Sequence, residues 1–143
     1  MTGCPDKRTR VLVVSLPGMM QKMLRETFNS RLNVDLVGVA SGGLSAVRMI
    51  QQKQPHLVVI DSNLPSSEAR ALIEWMKEEC HQVCSLVLEE TTQQLNRATA
   101  AGADIVMRSY SLVDNLDSVF VNMSAIHTST SVEKTDSETK KEK

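Results

Sequence analysis

Residues 57–65 read Leu57-Val58-Val59-Ile60-Asp61-Ser62-Asn63-Leu64-Pro65, a run of four apolar residues that stops at a carboxylate. A short apolar run of this kind is typical of a strand that is buried on both faces, as in a parallel sheet. In open α/β sheets, ligand-binding and catalytic groups lie at the carboxyl ends of the strands. The sequence therefore predicts that Asp61 is positioned for function at the edge of a parallel sheet.

The first predicted strand, residues 11–14, ends in a different way. It runs into Ser15-Leu16-Pro17, which contains no acid. Because the carboxyl ends of parallel strands meet at one edge of a sheet, Ser15 and Asp61 are expected to lie near each other. One half of a two-part acidic site is present in this sequence, and the other half is absent.

Strand-like and helix-like segments alternate five times, which is typical of a parallel sheet covered by helices on both faces. The strands are expected at about 11–14, 34–39, 57–60, 83–88 and 105–107, and the helices at about 18–30, 44–54, 67–79, 91–101 and 112–126. Ser41 is expected to cap the second helix, and Leu44 to face the core. Gly102 is expected to end the fourth helix.

The length of 143 residues fits one domain with short extensions. We expect an N-terminal extension over residues 1–9, a folded domain over 10–127 and a disordered polar tail over 128–143. The tail consists of Ser, Thr, Glu, Asp and Lys around a single Val132. It offers too little apolar surface to offset the entropy lost on ordering.

The composition excludes several classes of function. The net charge is −1 and the folded part has no basic run, so direct nucleic-acid binding is not expected. No apolar run reaches the roughly 18 residues of a membrane span, and the first residues lack a secretory signal. We therefore expect a cytoplasmic protein. The stretch from Cys80 to Cys84 contains one histidine and lacks the four ligands of a zinc site, so neither a metal nor another cofactor is expected.

Three strings, correctly ordered and spaced, resemble the receiver domain of bacterial two-component response regulators. They are Val37-Gly38-Val39-Ala40-Ser41-Gly42-Gly43-Leu44-Ser45-Ala46, Leu57 to Pro65, and Ala100-Ala101-Gly102-Ala103-Asp104. The resemblance covers about residues 10–126. It implies an α/β, flavodoxin-like (βα)5 receiver fold, in which a five-stranded parallel sheet of order 2-1-3-4-5 carries helices on both faces.

The resemblance also implies roles for single residues. The aspartate that is phosphorylated in the family matches Asp61. The paired acids that follow the family's first strand match Ser15 and Leu16. The hydroxyl residue after the fourth strand matches Glu89, in a loop about two residues shorter than the family's. Glu89 and Glu90 also fit a solvated loop or a helix start, where acids are favourable.

The family's lysine after the fifth strand matches Ser109 without a gap, or Arg108 with one deletion. We prefer Ser109, because the ungapped match also places Leu116 on an expected core leucine. Arg108 could either pair with Asp61, filling the space of a metal or phosphate, or point to solvent.

These replacements bear on the chemistry of the site. Transfer of a phosphoryl group to a carboxylate brings two negative charges together and needs a cation, usually Mg²⁺. Mg²⁺ prefers oxygen ligands that include one or two carboxylates. Ser15 offers at most a hydroxyl, Leu16 offers nothing, and Glu89 adds negative charge where a phosphate would lie.

The sequence therefore favours a degenerate receiver that is not an enzyme and acts as a phosphorylation-independent protein-interaction or signalling module. Its partners would be proteins, such as a kinase or an output protein. A weak homodimer through the fourth helix, fifth strand and fifth helix is also expected. Two alternatives remain: a working receiver phosphorylated on Asp61 by a histidine kinase, and a flavodoxin-like small-molecule binder.

Overall fold

The structure, a computed structural model of the chain, describes residues 8–132, with side chains for residues 8–123. The strands are β1 (Thr9–Val14), β2 (Val34–Ala40), β3 (Leu57–Ile60), β4 (Cys84–Glu89) and β5 (Ile105–Arg108). The helices are α1 (Met19–Asn29), α2 (Gly43–Lys53), α3 (Ser66–Glu79), α4 (Thr92–Ala101) and α5 (Leu112–Val132), with a 3₁₀ turn at Ser109–Ser111. All strand pairs are parallel, and the order β2-β1-β3-β4-β5 confirms the order implied by the resemblance.

The register of the central strands brings the site residues to one edge of the sheet. Val14 of β1 lies opposite Ile60 of β3, so the residues that follow them, Ser15 and Asp61, emerge side by side. On the other side of β3, Ile60 lies opposite Val87 of β4. Glu89 at the end of β4 lies opposite the last residue of β5.

Alternation of side chains along the strands divides the core between two faces of the sheet. One face carries a cluster that joins Leu12 and Ile60 to buried residues of α2, α3 and α4. The buried residues Leu24 and Phe28 of α1 lie outside this cluster, and α1 packs on β1 and β2. Helices therefore cover both faces, which explains why β3 and residues 11–14 of β1 are wholly apolar.

The start of α2 differs from the prediction in two respects. Its N-cap is Gly42 and not Ser41, and the Glu68 carboxylate of α3 accepts the Gly43 N–H at 2.6 Å. A side chain from a neighbouring helix thus replaces the local cap. Leu44 is 69% exposed, because Gly43, Ala46 and Ile50 form the buried stripe instead. The helical spacing of apolar residues in the sequence had predicted that the larger Leu44 side chain would be buried.

The ends of α2 and α4 agree with the sequence. Helix α2 stops before Pro55, with Gln54 in the left-handed conformation at φ 48°. Helix α4 ends at Gly102, whose φ of 111° is accessible mainly to glycine. These turns return the chain to β3 and β5 and thereby set where the strands reach the functional edge.

The chain divides into two compact units, residues 1–112 and 113–143. In α5, Leu116, Val119 and Met123 are buried and follow one another at helical spacing. The helix continues to Val132, past the end expected at residue 126, and no Gly or Pro occurs there to stop it. Residues 128–132, which were predicted to be tail, are therefore helical, while residues 133–143 and 1–7 lie outside the described part. No helix within residues 8–132 is both long and apolar enough to cross a membrane.

Candidate functional site

The centre of the site is a hydrogen bond between the ends of β1 and β3. The Ser15 hydroxyl donates to Oδ2 of Asp61 at 2.7 Å, and the two residues are 0% and 1% exposed. The Asp61 backbone N–H donates to the carbonyl of Val14 at 3.0 Å, which fixes the carboxylate at this position. One buried oxygen of Asp61 is therefore engaged by a neutral hydroxyl donor.

Leu16 supplies no ligand to the site. Its backbone N–H donates to Oδ1 of Asn63 at 3.2 Å, while its half-buried side chain packs against the core cluster. The carbonyl of Ser15 accepts a 2.7 Å hydrogen bond from Nε2 of Gln21 in α1. Backbone hydrogen bonds thus hold Ser15 and Leu16, the two positions that match the family's paired acids. Together they offer the site a single hydroxyl group, that of Ser15.

Glu89 places a second carboxylate near Asp61. It is half-buried at the end of β4, and burial raises the pKa of its carboxyl above the usual 4.5. The negative charges of Asp61 and Glu90 raise this pKa further, in that order of importance. The structure therefore brings together the acids that the sequence analysis singled out, and their charges repel.

Glu90 has a larger role than the sequence suggested. Its Oε2 accepts hydrogen bonds from the Ser109 hydroxyl at 2.7 Å and from the Ser62 hydroxyl at 3.2 Å. The Ser62 hydroxyl also lies 3.4 Å from Oδ1 of Asp61, but it has one proton and is closer to Glu90. Glu90 therefore links the segments that follow β3, β4 and β5. The only feature of the sequence that pointed to this role was the pair of adjacent acids, Glu89 and Glu90, at the end of a predicted strand.

Arg108 does not pair with Asp61, and its guanidinium lies at the exposed surface. Its guanidinium donates to the backbone carbonyl of Glu90 at 3.2 Å and to the Thr92 hydroxyl at 2.8 Å. Arg108 is the last residue of β5 and Ser109 is the first residue of the 3₁₀ turn, and their side chains reach different partners. Ser109, which is 8% exposed, is the one that reaches the acids. Arg108 instead fastens the start of α4.

The Mg²⁺ that the receiver fold implies does not match these residues. Asp61 is a single buried carboxylate whose Oδ2 already accepts a hydrogen bond from a hydroxyl, and the half-buried Leu16 side chain packs against the core. A survey of the described residues finds no group of three or more His, Cys, Asp or Glu side chains that could hold a metal ion. The donor set falls short of the near-octahedral oxygen shell that Mg²⁺ needs.

The two described cysteines are poor metal ligands as well. Burial, followed by the charge of Asp104, raises the pKa of the Cys84 thiol to about 12. Burial and the charge of Glu79 also raise the pKa of Cys80. Metal binding needs the thiolate form, which is scarce at neutral pH when the pKa is raised.

No model of a known protein family matches the chain. Among curated proteins, it is 30% identical over 102 residues to protein-glutamate methylesterase/protein-glutamine glutaminase 1 of Methanospirillum hungatei, covering 68% of this chain and 30% of that enzyme. It is 34% identical over 59 residues to the corresponding protein of Pyrococcus abyssi, covering 41% of this chain and 16% of that protein. The chain thus spans less than a third of the length of these relatives.

Solved structures resemble the chain more extensively. The signal receiver domain of the response regulator NarL from Mycobacterium tuberculosis has a TM-score of 0.69 at 15% identity, covering 79% of this chain and 96% of that one. The response regulator domain of Thermotoga maritima CheB gives 0.62 at 22% identity, with 85% and 97% covered. The non-phosphorylated receiver domain of Escherichia coli RcsB gives 0.71 at 12% identity, with 82% and 94% covered. At these identities the likeness concerns the fold.

Proposed function

We propose that this chain, which has the receiver fold of response regulators, is a signalling module that works through protein contacts and not through phosphorylation of Asp61. One observation carries the proposal. The buried Asp61 carboxylate accepts a hydrogen bond from the Ser15 hydroxyl at a position where the resemblance implies a metal-binding acid. Among the residues whose side chains are described, the site keeps the phosphoacceptor-equivalent aspartate and offers a hydroxyl where the resemblance implies an acid.

The electrostatics of the site support the same proposal. An incoming phosphoryl group is anionic, and its transfer to a carboxylate depends on cations that neutralise the developing charge. Here Asp61 lies near two further acids, whose repulsion appears in the raised pKa of Glu89. Ser109, at the position of the family's lysine, contributes a neutral hydroxyl that already donates to Glu90.

The likeness to methylesterases does not lead us to propose an enzyme. The chain matches at most 30% of the length of the relatives named above, and its structural likeness is to receiver domains. We expect no esterase or glutaminase activity from this chain alone. A kinase or an output protein as partner, and a cytoplasmic location, stay predictions.

The deciding experiment is a phosphorylation assay. The chain is incubated with Mg²⁺ and a small acyl phosphate donor, and intact-mass spectra are recorded quickly at neutral pH, since acyl phosphates hydrolyse. We expect no phosphate adduct, whereas a phosphorylatable receiver domain in the same tube acquires one. A stoichiometric, Mg²⁺-dependent adduct that is absent from Asp61→Asn would instead establish the working receiver that the sequence left as an alternative.

A further inference from the structure

Helices α3 and α4 border an open groove of about 550 Å³. Its floor consists of small or apolar side chains, among them Ala69, Ile73 and Ala98, which are all buried. The groove begins at the functional edge of the sheet, where Glu89 forms part of its lining. Because both helices start at that edge, the groove runs from the acidic site down one face of the domain.

The charged residues of the groove differ in whether they are paired. Arg70 and Glu74 of α3 form an exposed ion pair at 3.3 Å, which is weak but occupies both groups. Arg97 of α4 has no hydrogen bond or ion pair with any residue between 8 and 123. The Glu89 carboxylate likewise accepts no hydrogen bond from the residues whose side chains are described, and the charges that raise its pKa are those of Asp61 and Glu90.

We propose that this groove docks a short helical segment of a partner protein, which presents a basic side chain to Glu89 and an acidic side chain to Arg97. The inference rests on the proposed interaction role and names the surface that would perform it. A basic group would neutralise the negative charge of the half-buried Glu89 at the sheet-edge end of the groove. An acidic group would pair with the free guanidinium lower down.

The shape of the groove favours a helical ligand. Grooves between two packed helices accept the ridge of side chains from a third helix, and small floor residues leave room for it. Arg97 lies five residues beyond the start of α4 at Thr92, which is about 8 Å along the helix axis at 1.5 Å per residue. A partner helix would therefore carry its base and its acid on one face, which requires them to be one or two whole turns apart.

The test uses a displayed library of short amphipathic peptides, in which the polar positions vary among Lys, Arg, Asp, Glu and Gln. Selection is made on the intact chain. We expect the enriched peptides to carry a base and an acid on the same face at the stated separation. In ¹⁵N NMR titrations, these peptides should shift the backbone signals of residues 66–74 and 94–101.

Four variants of the chain make the result specific. Arg97→Glu should weaken the enriched peptides at least about tenfold, and a peptide whose acid is changed to Lys should regain the lost affinity. Ala100→Trp, at an exposed position that lines the groove, should block binding. Thr99→Trp, on the side of α4 away from the groove lining, and Arg25→Glu on α1 should leave affinity unchanged.

Several outcomes would overturn the inference: no enrichment, binding that survives Ala100→Trp, or shifts that map elsewhere. Self-association that Ala100→Trp abolishes would show that a second copy fills the groove. Binding of charged small molecules without any peptide would point to a small-molecule site. The phosphorylation assay separates the two proposals, because an unphosphorylated chain that binds no peptide contradicts the groove alone.

Discussion

The Ser15 hydroxyl and the Asp61 carboxylate form a 2.7 Å hydrogen bond in the interior of the sheet edge. Hydrogen bonds to an ionised group are stronger than neutral ones, but a single hydroxyl does not replace the hydration that a buried carboxylate loses. Glu90 is held in a similar way by the Ser62 and Ser109 hydroxyls. In this site neutral hydroxyl groups are hydrogen-bonded to the acids, whereas a phosphoacceptor site needs cations beside them.

Replacement of Asp61 by asparagine should stabilise the fold. Asparagine keeps an oxygen that accepts the hydrogen bond from the Ser15 hydroxyl. It also removes the negative charge that repels the Glu89 carboxylate. Since Glu89 is only partly buried, solvent weakens its repulsion with Asp61, and we expect a gain of only about 0.5 kcal/mol in the free energy of unfolding. Urea denaturation at pH 7 measures this gain.

Asp61→Ala is the matched control for the hydrogen bond. It relieves the same repulsion but leaves the buried Ser15 hydroxyl without its 2.7 Å acceptor, so it should be about 1 kcal/mol less stable than Asp61→Asn. Equal stabilities would mean that the Ser15 bond contributes nothing. A loss in both variants that disappears in an Arg108→Ala background would revive the pairing of Asp61 with Arg108.

The raised pKa of Glu89 predicts a dependence of stability on pH. In the folded chain, the carboxyl binds its proton more tightly than its usual pKa of 4.5 implies, so the native state holds more protons than the unfolded state above that pH. The stability that the protonated Glu89 carboxyl contributes should therefore be fully present below about pH 4.5. It should be lost as the pH rises through the folded pKa of this group. The advantage of Glu89→Gln over the original chain should be larger at pH 7 than at pH 4.

Denaturation at both pH values, with Glu74→Gln as an exposed control on α3, checks the sign of this effect. A Glu89→Gln advantage that grew toward pH 4 would contradict the repulsion among Asp61, Glu89 and Glu90.

Strand β3 shows that a buried strand can be predicted from the sequence alone. The expected and observed bounds, residues 57–60, coincide. Four apolar residues between a helix-stopping Pro55 and the acid Asp61 leave few alternatives for this segment. Helix α2 shows the limit of the same reasoning, because its N-terminal partner, Glu68, comes from another helix. Such a contact between distant residues leaves no local pattern in the sequence.

The site shows a similar division. Strand-end positions follow from sequence, so Asp61 and Ser15 could be placed together before the structure was known. The contacts of Glu90 depend on rotamers at three separate strand ends, and no spacing encodes them. The choice between Arg108 and Ser109 depended on where β5 ends, to within one residue, because Arg108 is the last strand residue and Ser109 begins the 3₁₀ turn.

The weak homodimer expected through the α4, β5 and α5 surfaces remains a prediction. Small residues on α4 would let a partner approach closely, and of these Ala98 is buried, whereas Thr99 is exposed. Thr99→Arg should therefore reduce self-association, since it adds a long charged side chain to a surface where close approach is proposed. Sedimentation velocity at increasing concentration measures the effect, with Arg25→Glu as the control. A strictly monomeric chain at high micromolar concentration would contradict the prediction.

Restoring one acid should create a response to Mg²⁺ that the original chain lacks. Ser15→Asp places a second carboxylate against the buried Asp61 and should cost about 2 kcal/mol of stability in chelator, through the lost hydrogen bond and like-charge repulsion. Two carboxylates are a minimal Mg²⁺ set, so the metal should return part of that loss. At a concentration about ten times its Kd, this gain is roughly 1.4 kcal/mol.

The controls for this variant use the same position and its neighbour. Ser15→Asn, which is neutral and of the same shape, should show no response to Mg²⁺. Leu16→Asp should lose stability with or without the metal, because the Leu16 side chain packs against the core. Phosphorylation of Ser15→Asp should still fail, since Glu89 and the neutral Ser109 remain in place. If the original chain itself gained stability from Mg²⁺, and Asp61→Asn did not, the site would bind metal without a second acid, and the phosphorylation-independent function proposed for it would be wrong.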